Sequence, residues 1–241
     1  GYVEKGIIPQ HRTIKYSYGD IKTLFIYSGK NKLSVVRRRS ETITQIDNFT
    51  LNKAVSMQAL IKILHASNDV QVVAFLGETT TFDSQQSDIS YLLGDVTRED
   101  IGLVGPRIMR KNRKVYISAG QIFKKNFVAD SLSGISNFEM TGLRPLFAYS
   151  RRNTSSLNSA FFMIKKNDLL KFIESESTDI TLDNINIKLS IFTCRSNKRN
   201  VYVPKFIAYS KEVSLPEKVK NLPLEKYYSN NFSEKSSNYD Y

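Results

Sequence analysis

Short runs of apolar residues along the chain predict that most of its regular structure is β-strand. The runs are rich in β-branched and aromatic residues and are bounded by Gly, Asn, Ser and Asp, which is typical of strands. They lie at Thr23–Ser28, Lys32–Arg37, Val70–Leu76, Val115–Ser118 and Ala160–Ile164. The first two runs are separated by a short Gly-containing segment, so they are expected to form a hairpin.

The strictest alternation of apolar and polar residues lies at Ile185–Thr193. A period of two predicts a strand with one buried face and one solvated face. Val201–Tyr209 follows it, and the two segments are expected to form an antiparallel hairpin with a basic tip. Pro204 lies inside the second segment, where it predicts an edge strand or a break.

Two segments carry the helical period instead. In Leu51–Ala66, apolar residues recur at i, i+3, i+4 and i+7 from Met57, which predicts an amphipathic helix. Asp168–Ser175 predicts a shorter helix with its apolar side chains turned inward. Because strand runs outnumber helices roughly three to one, the pattern predicts a mainly β fold (β-sandwich or jelly-roll-like), or a β-dominated α+β fold, with one or two inserted helices.

Changes in composition along the chain predict three parts. Residues 1–20 are expected to form an extended N-terminal arm, residues 21–210 a single β-rich domain, and residues 211–241 an extended or partly disordered C-terminal tail. The tail carries several aromatic residues, among them Tyr227, Tyr228 and Phe232. Self-association through the arm or the tail is therefore a further expectation.

Bulk composition is that of an ordinary globular protein. The 241 residues are 41% apolar and 24% charged, which argues against disorder of the whole chain. Cys194 is the single cysteine, so an intrachain disulfide is excluded, as fits a reducing compartment. No apolar run approaches the ~20 residues of a membrane-spanning helix, and the N-terminal residues do not resemble a signal peptide. An intracellular (cytoplasmic or nuclear), soluble protein is expected.

Charge is the unusual property of this sequence. There are 35 Lys and Arg residues against 23 Asp and Glu residues, a net charge of +12. Such an excess favours binding to a polyanion if folding clusters the cations. Nucleic acid, as RNA or single-stranded DNA, is the preferred partner, with anionic membrane as the alternative. The predicted nucleic-acid-binding residues are Arg37, Arg38, Arg39, Arg107, Arg110, Lys111, Arg113, Lys114, Lys124, Lys125, Arg151, Arg152, Arg195, Lys198 and Arg199.

Aromatic residues are interleaved with the central basic stretch. Tyr116, Phe123, Phe127 and Tyr149 lie among these cations, and aromatic rings beside cations are typical of single-strand binding. The alternative is that each ring belongs to the core of a strand. No base-reading element is evident, so binding without sequence preference is expected.

A metal-dependent enzyme that processes nucleic acid is a further alternative. Two or three carboxylates would have to share one Mg²⁺ site, and the acidic segment supplies Asp83, Asp88, Asp95, Glu99 and Asp100. Their spacing selects no set, and no phosphate-cradling or dinucleotide-binding loop is present. Cys194 is expected to pack rather than react. We therefore assign no catalytic residue, metal ligand or cofactor, and a non-enzymatic protein is favoured.

One short pattern resembles a known family. The run Leu93-Gly94-Asp95, with Gly142 beside Pro145 downstream, is similar to the Leu-x-Asp…Gly pattern of the 30-kilodalton plant-virus movement proteins. The resemblance implies binding of single-stranded nucleic acid without sequence preference. No residue role is carried over from it. A viral capsid, nucleocapsid or movement protein is accordingly the kind of nucleic-acid-binding protein expected, and a self-assembling matrix or coat protein on anionic membrane is the alternative.

Overall fold

The structure of the protein is a computed structural model. The described residues are 21–28, 50–51, 57–77, 79–82, 88–110, 115–124, 127–136, 148–175, 185–211 and 217–218. Among the described residues, 43% lie in strands and 29% in helices, so strands dominate the architecture.

Most of the strands join one sheet. It contains nine described strands, which are β1 (Thr23–Ser28), β2 (Thr50–Leu51), β3 (Val72–Leu76), β4 (Thr81–Phe82), β5 (Ile101–Arg110), β6 (Val115–Ser118), β9 (Arg152–Thr154), β10 (Phe161–Lys165) and β11 (Arg199–Tyr209). A smaller sheet is formed by β7 (Gln121–Lys124), β8 (Phe127–Asp130) and β12 (Glu217–Lys218). β12 falls within the predicted tail and pairs with β8.

The large sheet mixes parallel and antiparallel pairs. Its order is β2-β1-β3-β10-β5-β11-β4, with β6 beside β5 and β9 beside β11. β1 and β3 are parallel, β10 is antiparallel to both of its neighbours, and β5 and β11 are parallel. Five strands (β1, β2, β3, β5 and β11) therefore run in one direction, and the amino-terminal ends of β5 and β11 lie at the same edge of the sheet.

Four described helices cover the two faces of this sheet. They are α1 (Met57–Ala66), α2 (Ser90–Val96), α3 (Lys166–Ser175) and α4 (Ile185–Arg195). The helices α1, α3 and α4 pack with Val73 and Phe75 of β3 in one apolar cluster. The helix α2 packs with Val72, Ala74 and Leu76 in a second cluster. Alternate side chains of β3 thus point to opposite faces of the sheet, as the pleat requires.

The predicted fold class is confirmed in its α+β form. A mixed sheet with helices on both faces is a β-dominated α+β architecture. No second large sheet faces the first within the described ranges. The layers are therefore helix–sheet–helix, and a sandwich of two sheets is not the arrangement observed.

Most of the predicted elements that fall on described residues are confirmed. Strands occur at Thr23–Ser28, Val72–Leu76, Val115–Ser118 and Phe161–Lys165, and helices at Met57–Ala66 and Lys166–Ser175. The sequence predicts that the first helix begins at Leu51, but Thr50–Leu51 is β2. The predicted strand at 32–37 and the predicted arm lie outside the described residues.

The prediction of a strand at Ile185–Thr193 is wrong, because this segment is the helix α4. Three of its polar residues are buried rather than solvated. Asn186, Ser190 and Thr193 recur at i, i+4 and i+7 and are at most 3% exposed. The polar residues therefore share one side of the helix, and the alternation that suggested two faces of a strand has a different cause.

Hydrogen bonds explain why this polar stripe can be buried. The Asn186 amide donates to the Leu157 carbonyl at 2.6 Å and to Gln121 at 3.2 Å. Ser190 donates to Ser156 at 2.9 Å, and Thr193 donates to Asn200 at 2.8 Å. Buried polar groups are tolerated when they are paired in this way. The stripe attaches α4 to the sheet and its loops.

The predicted hairpin between Ile185–Thr193 and Val201–Tyr209 is accordingly wrong as well. β11 pairs with β5 in parallel, and with β9 and β4 in antiparallel orientation on its other side. The strand β11 runs unbroken through Pro204 and is not an edge strand, but its register with β5 shifts between Val203 and Ile207. Among the helices that the structure describes, none is long and apolar enough to cross a membrane.

Candidate nucleic-acid interface

Charged side chains from four separate segments meet at the amino-terminal edge of β5 and β11. We call their cations the basic rim, which consists of Arg98, Arg151, Lys165, Lys198 and Arg199. Arg98 lies in the loop between α2 and β5, Arg151 precedes β9, and Lys165 ends β10. The last two cations lie where α4 turns into β11.

The turn after α4 brings two of these cations into place. Asn197 has a left-handed backbone conformation, with φ of 56°. Its amide donates to the Cys194 carbonyl at 3.0 Å, and the Lys198 amide donates to the Thr193 carbonyl at 2.9 Å. This pair of bonds is the Schellman motif that ends many helices. This turn reverses the chain, so that Lys198 and Arg199 lie at the start of β11, which runs beside β5.

Asp100 joins two arginines of the basic rim. Arg98 donates to its carboxylate through Nε and Nη2, each at 3.1 Å, and Arg199 donates to the same carboxylate. The hydrogen bonds from Arg199 and Arg98 lower the pKa of Asp100 below its ordinary value. Asp100 therefore stays ionised and holds the two guanidinium groups side by side.

Asp168, in the first turn of α3, performs the same role for the two lysines. Lys198 Nζ lies 2.5 Å from one of its oxygens, and Lys165 Nζ lies 3.7 Å from the other. Lys165 also donates to the backbone carbonyls of Arg98 and Ile101, the second at 2.8 Å. These bonds attach the lysines to the first residue of β5.

Asp95, at the end of α2, pairs with Arg151 at 2.6 Å. Burial lowers the pKa of Arg151, and the nearby charges of Arg98 and Arg199 lower it further. Burial likewise lowers the pKa of Lys165, and the charge of Lys198 adds to this effect. Asp95 opposes this lowering at Arg151 and Asp168 opposes it at Lys165, and each carboxylate has a larger effect than any single neighbouring cation.

The charge balance at this edge is positive. Five cations of the basic rim surround three carboxylates, those of Asp95, Asp100 and Asp168. Arg195, one turn before Lys198 along the chain, is exposed. Residues 185–211 include six Lys and Arg and no Asp or Glu. An anion placed at this edge would relieve the repulsion among the cations.

A second group of predicted residues lies on the β5–β6 side of the sheet. We call it the arginine–tyrosine cluster, which consists of Arg107, Tyr116, Tyr149, Arg152 and Tyr202. The Arg107 guanidinium carbon lies 4.7 Å from the ring centre of Tyr149 and 5.8 Å from that of Tyr116. The Arg152 guanidinium carbon lies 5.4 Å from the ring centre of Tyr202. These are cation–π distances.

Hydrogen bonds fix the inner part of this cluster. Arg152 donates to the Ala119 carbonyl at 2.6 Å, and the Tyr202 hydroxyl donates to the Ala148 carbonyl at 2.8 Å. Burial raises the pKa of Tyr202 to about 12, and burial also raises the pKa of Tyr116. Both phenols are therefore neutral at physiological pH and add no negative charge beside the arginines.

The predicted site residues thus have different surroundings. Arg151, Lys198 and Arg199 come together in the basic rim, and Arg107 and Arg152 come together with the tyrosines. Arg110, at the end of β5, is partly exposed, and Lys124 lies in β7. Seven predicted residues lie outside the described ranges, namely Arg37, Arg38, Arg39, Lys111, Arg113, Lys114 and Lys125.

Sequence reasoning missed Arg98 and Lys165. Arg98 lies in an acid-rich segment, and Lys165 ends an apolar strand. Arg98 has no neighbouring cation, whereas Lys165 adjoins Lys166 in a pair like Lys124-Lys125, so the sequence did offer a signal for Lys165. The predicted aromatic residues Tyr116 and Phe123 are buried, while Tyr149 is 53% exposed.

The carboxylates considered for a metal site have other partners. Asp88 accepts a hydrogen bond from the Ser90 amide at the start of α2, at 2.9 Å, while Asp95 and Asp100 are bound by arginines. Asp83 lies outside the described ranges. Among the residues that the structure describes, no group of three His, Cys, Asp or Glu side chains could hold a metal ion.

Comparison with known proteins adds little to this picture. No protein-family profile matches the sequence, and no curated protein does either. Two similar solved structures are GalNAc-T7, crystallised with UDP, GalNAc and Mn²⁺, and A197 from STIV. The first is 11% identical with a TM-score of 0.46, and the second is 16% identical with a TM-score of 0.45.

The extent of these two alignments differs. GalNAc-T7 aligns with 80% of this chain, but the chain spans only 38% of the GalNAc-T7 chain. A197 aligns with 81% of this chain and 89% of its own. At these identities and TM-scores neither likeness bears on what this chain binds.

Proposed function

We propose that this chain is a non-enzymatic nucleic-acid-binding protein that holds RNA or single-stranded DNA, largely without sequence preference, at the basic rim. The observation that carries the proposal is the meeting of five cations from four chain segments around the three carboxylates that pair with them. A viral role, as a capsid, nucleocapsid or movement protein, stays a prediction of the sequence.

The rim has donors left for a phosphate backbone. The side chains of Arg98 and Arg199 are 46% and 44% exposed. Each guanidinium has five N–H donors, and Asp100 accepts only some of them. Arginine donors of this kind match phosphate oxygens in fork geometry. Each neutralised phosphate also releases counterions, so binding is expected to weaken steeply with added salt.

The experiment is a salt titration of binding between the full chain and a labelled single-stranded oligonucleotide. The double variant Arg98→Gln with Arg199→Gln removes two cations from the rim. The slope of log affinity against log salt should become shallower by about one for each phosphate that the variant no longer neutralises. The matched control is Lys62→Gln with Lys171→Gln, which makes the same change of charge on exposed residues of α1 and α3.

The outcomes distinguish nucleic-acid binding at the basic rim from the membrane alternative. A shallower slope for the rim variant, with an unchanged slope for the control, supports the basic rim. Equal slopes for both variants, or no oligonucleotide binding at all, would overturn the proposal. Sedimentation with vesicles of anionic lipid in the absence of oligonucleotide binding would support the membrane alternative instead.

A further inference from the structure

The arginine–tyrosine cluster contains a buried cation that lacks a counterion. Arg107 is 9% exposed, and no carboxylate of the described residues pairs with it. Its Nε has no hydrogen-bond partner within the same residues. The Tyr116 and Tyr202 rings beside it are neutral, because burial raises the pKa of each phenol. A buried charge with only neutral partners is costly and attracts an anion.

One side of this cluster is open to solvent. Tyr149 is 53% exposed, although it is a large aromatic residue. The Arg107 guanidinium covers one face of its ring, with the guanidinium carbon 4.7 Å from the ring centre. The cluster therefore offers an exposed ring with a cation behind it.

We propose that Tyr149 and Arg107 form a stacking subsite that takes one unpaired base of a single strand, with the base on the open face of the Tyr149 ring and the neighbouring phosphate attracted to Arg107. This inference rests on the proposed function and narrows its substrate class to single-stranded nucleic acid. Bases in a duplex are already stacked on one another and paired, so they are not available to an exposed ring. Single-strand-binding proteins use aromatic rings and cations in this combination.

The subsite and the basic rim lie along the same strand. The rim is attached to Ile101 through Lys165, and Arg107 lies six residues further along β5. At about 3.3 Å per residue Ile101 and Arg107 are roughly 20 Å apart, while Arg151 of the rim lies only two residues after Tyr149. A single strand of several nucleotides could therefore start at the subsite and extend across the rim.

The chain has no tryptophan, which allows a direct test. The variant Tyr149→Trp places a single tryptophan in the subsite. Its fluorescence should be quenched when a single-stranded oligonucleotide binds, because the base stacks on the indole, and should change little with a duplex of the same sequence. The variant Ile122→Trp, at an exposed position of β7, is the control for quenching by proximity alone.

Affinity provides the second measurement. Tyr149→Ala should weaken single-strand binding about tenfold, the effect typical of removing one stacking ring, and leave the salt slope unchanged. Tyr149→Phe keeps the ring and should bind like the unmodified protein. Normal single-strand binding by Tyr149→Ala, or equal quenching of Tyr149→Trp by the duplex, would overturn this inference alone. Absence of all binding in the unmodified protein would overturn the proposed function as well.

Discussion

Burial determines the chemistry of the single cysteine. Cys194 lies in the last turn of α4, where Asn200 donates a hydrogen bond to its sulfur at 3.3 Å. Burial raises the pKa of this thiol from 9.0 to about 11. Because the thiolate is the nucleophile, Cys194 is unreactive at physiological pH. The prediction that this residue packs rather than reacts agrees with this environment.

Alkylation tests this statement. At pH 9.0, where an ordinary cysteine is half ionised, the rate of Cys194 alkylation should be about fifty-fold lower in the folded protein than in denaturant. The rate in the folded protein should rise as the pH approaches 11. Cys194→Ser supplies the background, and equal rates in both states would contradict the prediction.

The same shift of pKa has a consequence for stability. The pKa of the folded state lies above that of the unfolded state, so the contribution of this thiol to stability is complete below pH 9.0 and is lost between that value and about pH 11.

Single residues also show which members of the basic rim the sequence alone predicts. Arg151 and Arg199 can be recognised from the sequence because other cations adjoin them. Arg98 belongs to the same rim, yet two acidic residues follow it, so a local count of charges does not find it. Lys165 adjoins Lys166, but its place beside Arg98 depends on strand order.

At the scale of elements, the helix α4 is the main difference between expectation and structure. Ile185, Leu189 and Phe192 pack into the core at helical spacing, and the polar stripe is buried on another side. The periodicity of apolar residues identifies a strand or a helix when one face is exposed to solvent and the other is buried. A helix buried on most sides removes that contrast, so its sequence resembles a strand of alternating residues.

Close packing between α4 and β5 requires the glycine at position 102. A β-carbon added to Gly102 would lie within 3 Å of the side chain of Thr193, with Oγ1 at 2.8 Å. Gly102→Ala should lower the free energy of unfolding by about 1–3 kcal/mol, the cost typical of overpacking a core. Denaturant titration measures the loss. The exposed substitution Gln71→Ala is the control, and an equal stability of both variants would show that α4 can move away without cost.

At the scale of the whole molecule, net charge predicts a polyanionic partner but does not predict which surface binds it. The described residues include 18 Lys and Arg against 9 Asp and Glu, so much of the positive excess belongs to these residues. Strand order then places the amino-terminal ends of β5 and β11 side by side. Composition has no information about this adjacency, and for that reason the basic rim could be described only from the structure.

One substitution separates the polyanion proposal from the metal-enzyme alternative. Asp100→Asn leaves the five cations in place and removes one carboxylate from the rim. Oligonucleotide binding should become tighter by about two- to fivefold at low salt, the effect of one exposed charge pair. A metal-dependent nuclease that used Asp100 would instead lose divalent-metal-dependent cleavage.

Fluorescence anisotropy and a cleavage assay on the same samples distinguish these outcomes. Glu174→Gln, an exposed residue of α3, is the control for the change in net charge. Weaker binding by Asp100→Asn would contradict a repulsive role for this carboxylate.

The interrupted pairing of β11 also affects how the molecule meets copies of itself. On the side away from β5, β9 pairs with residues 200–202 and β4 pairs with residues 208–209. Residues 203–206 have no strand partner on that side among the described residues. The unpaired backbone of such a stretch can form β-pairs with a strand from another chain. Pro204 has no N–H to offer there, and the exposed cation of Lys205 follows it. Proline and lysine at an open strand edge oppose intermolecular β-pairing, so this short sequence protects a basic protein from aggregating through its own sheet.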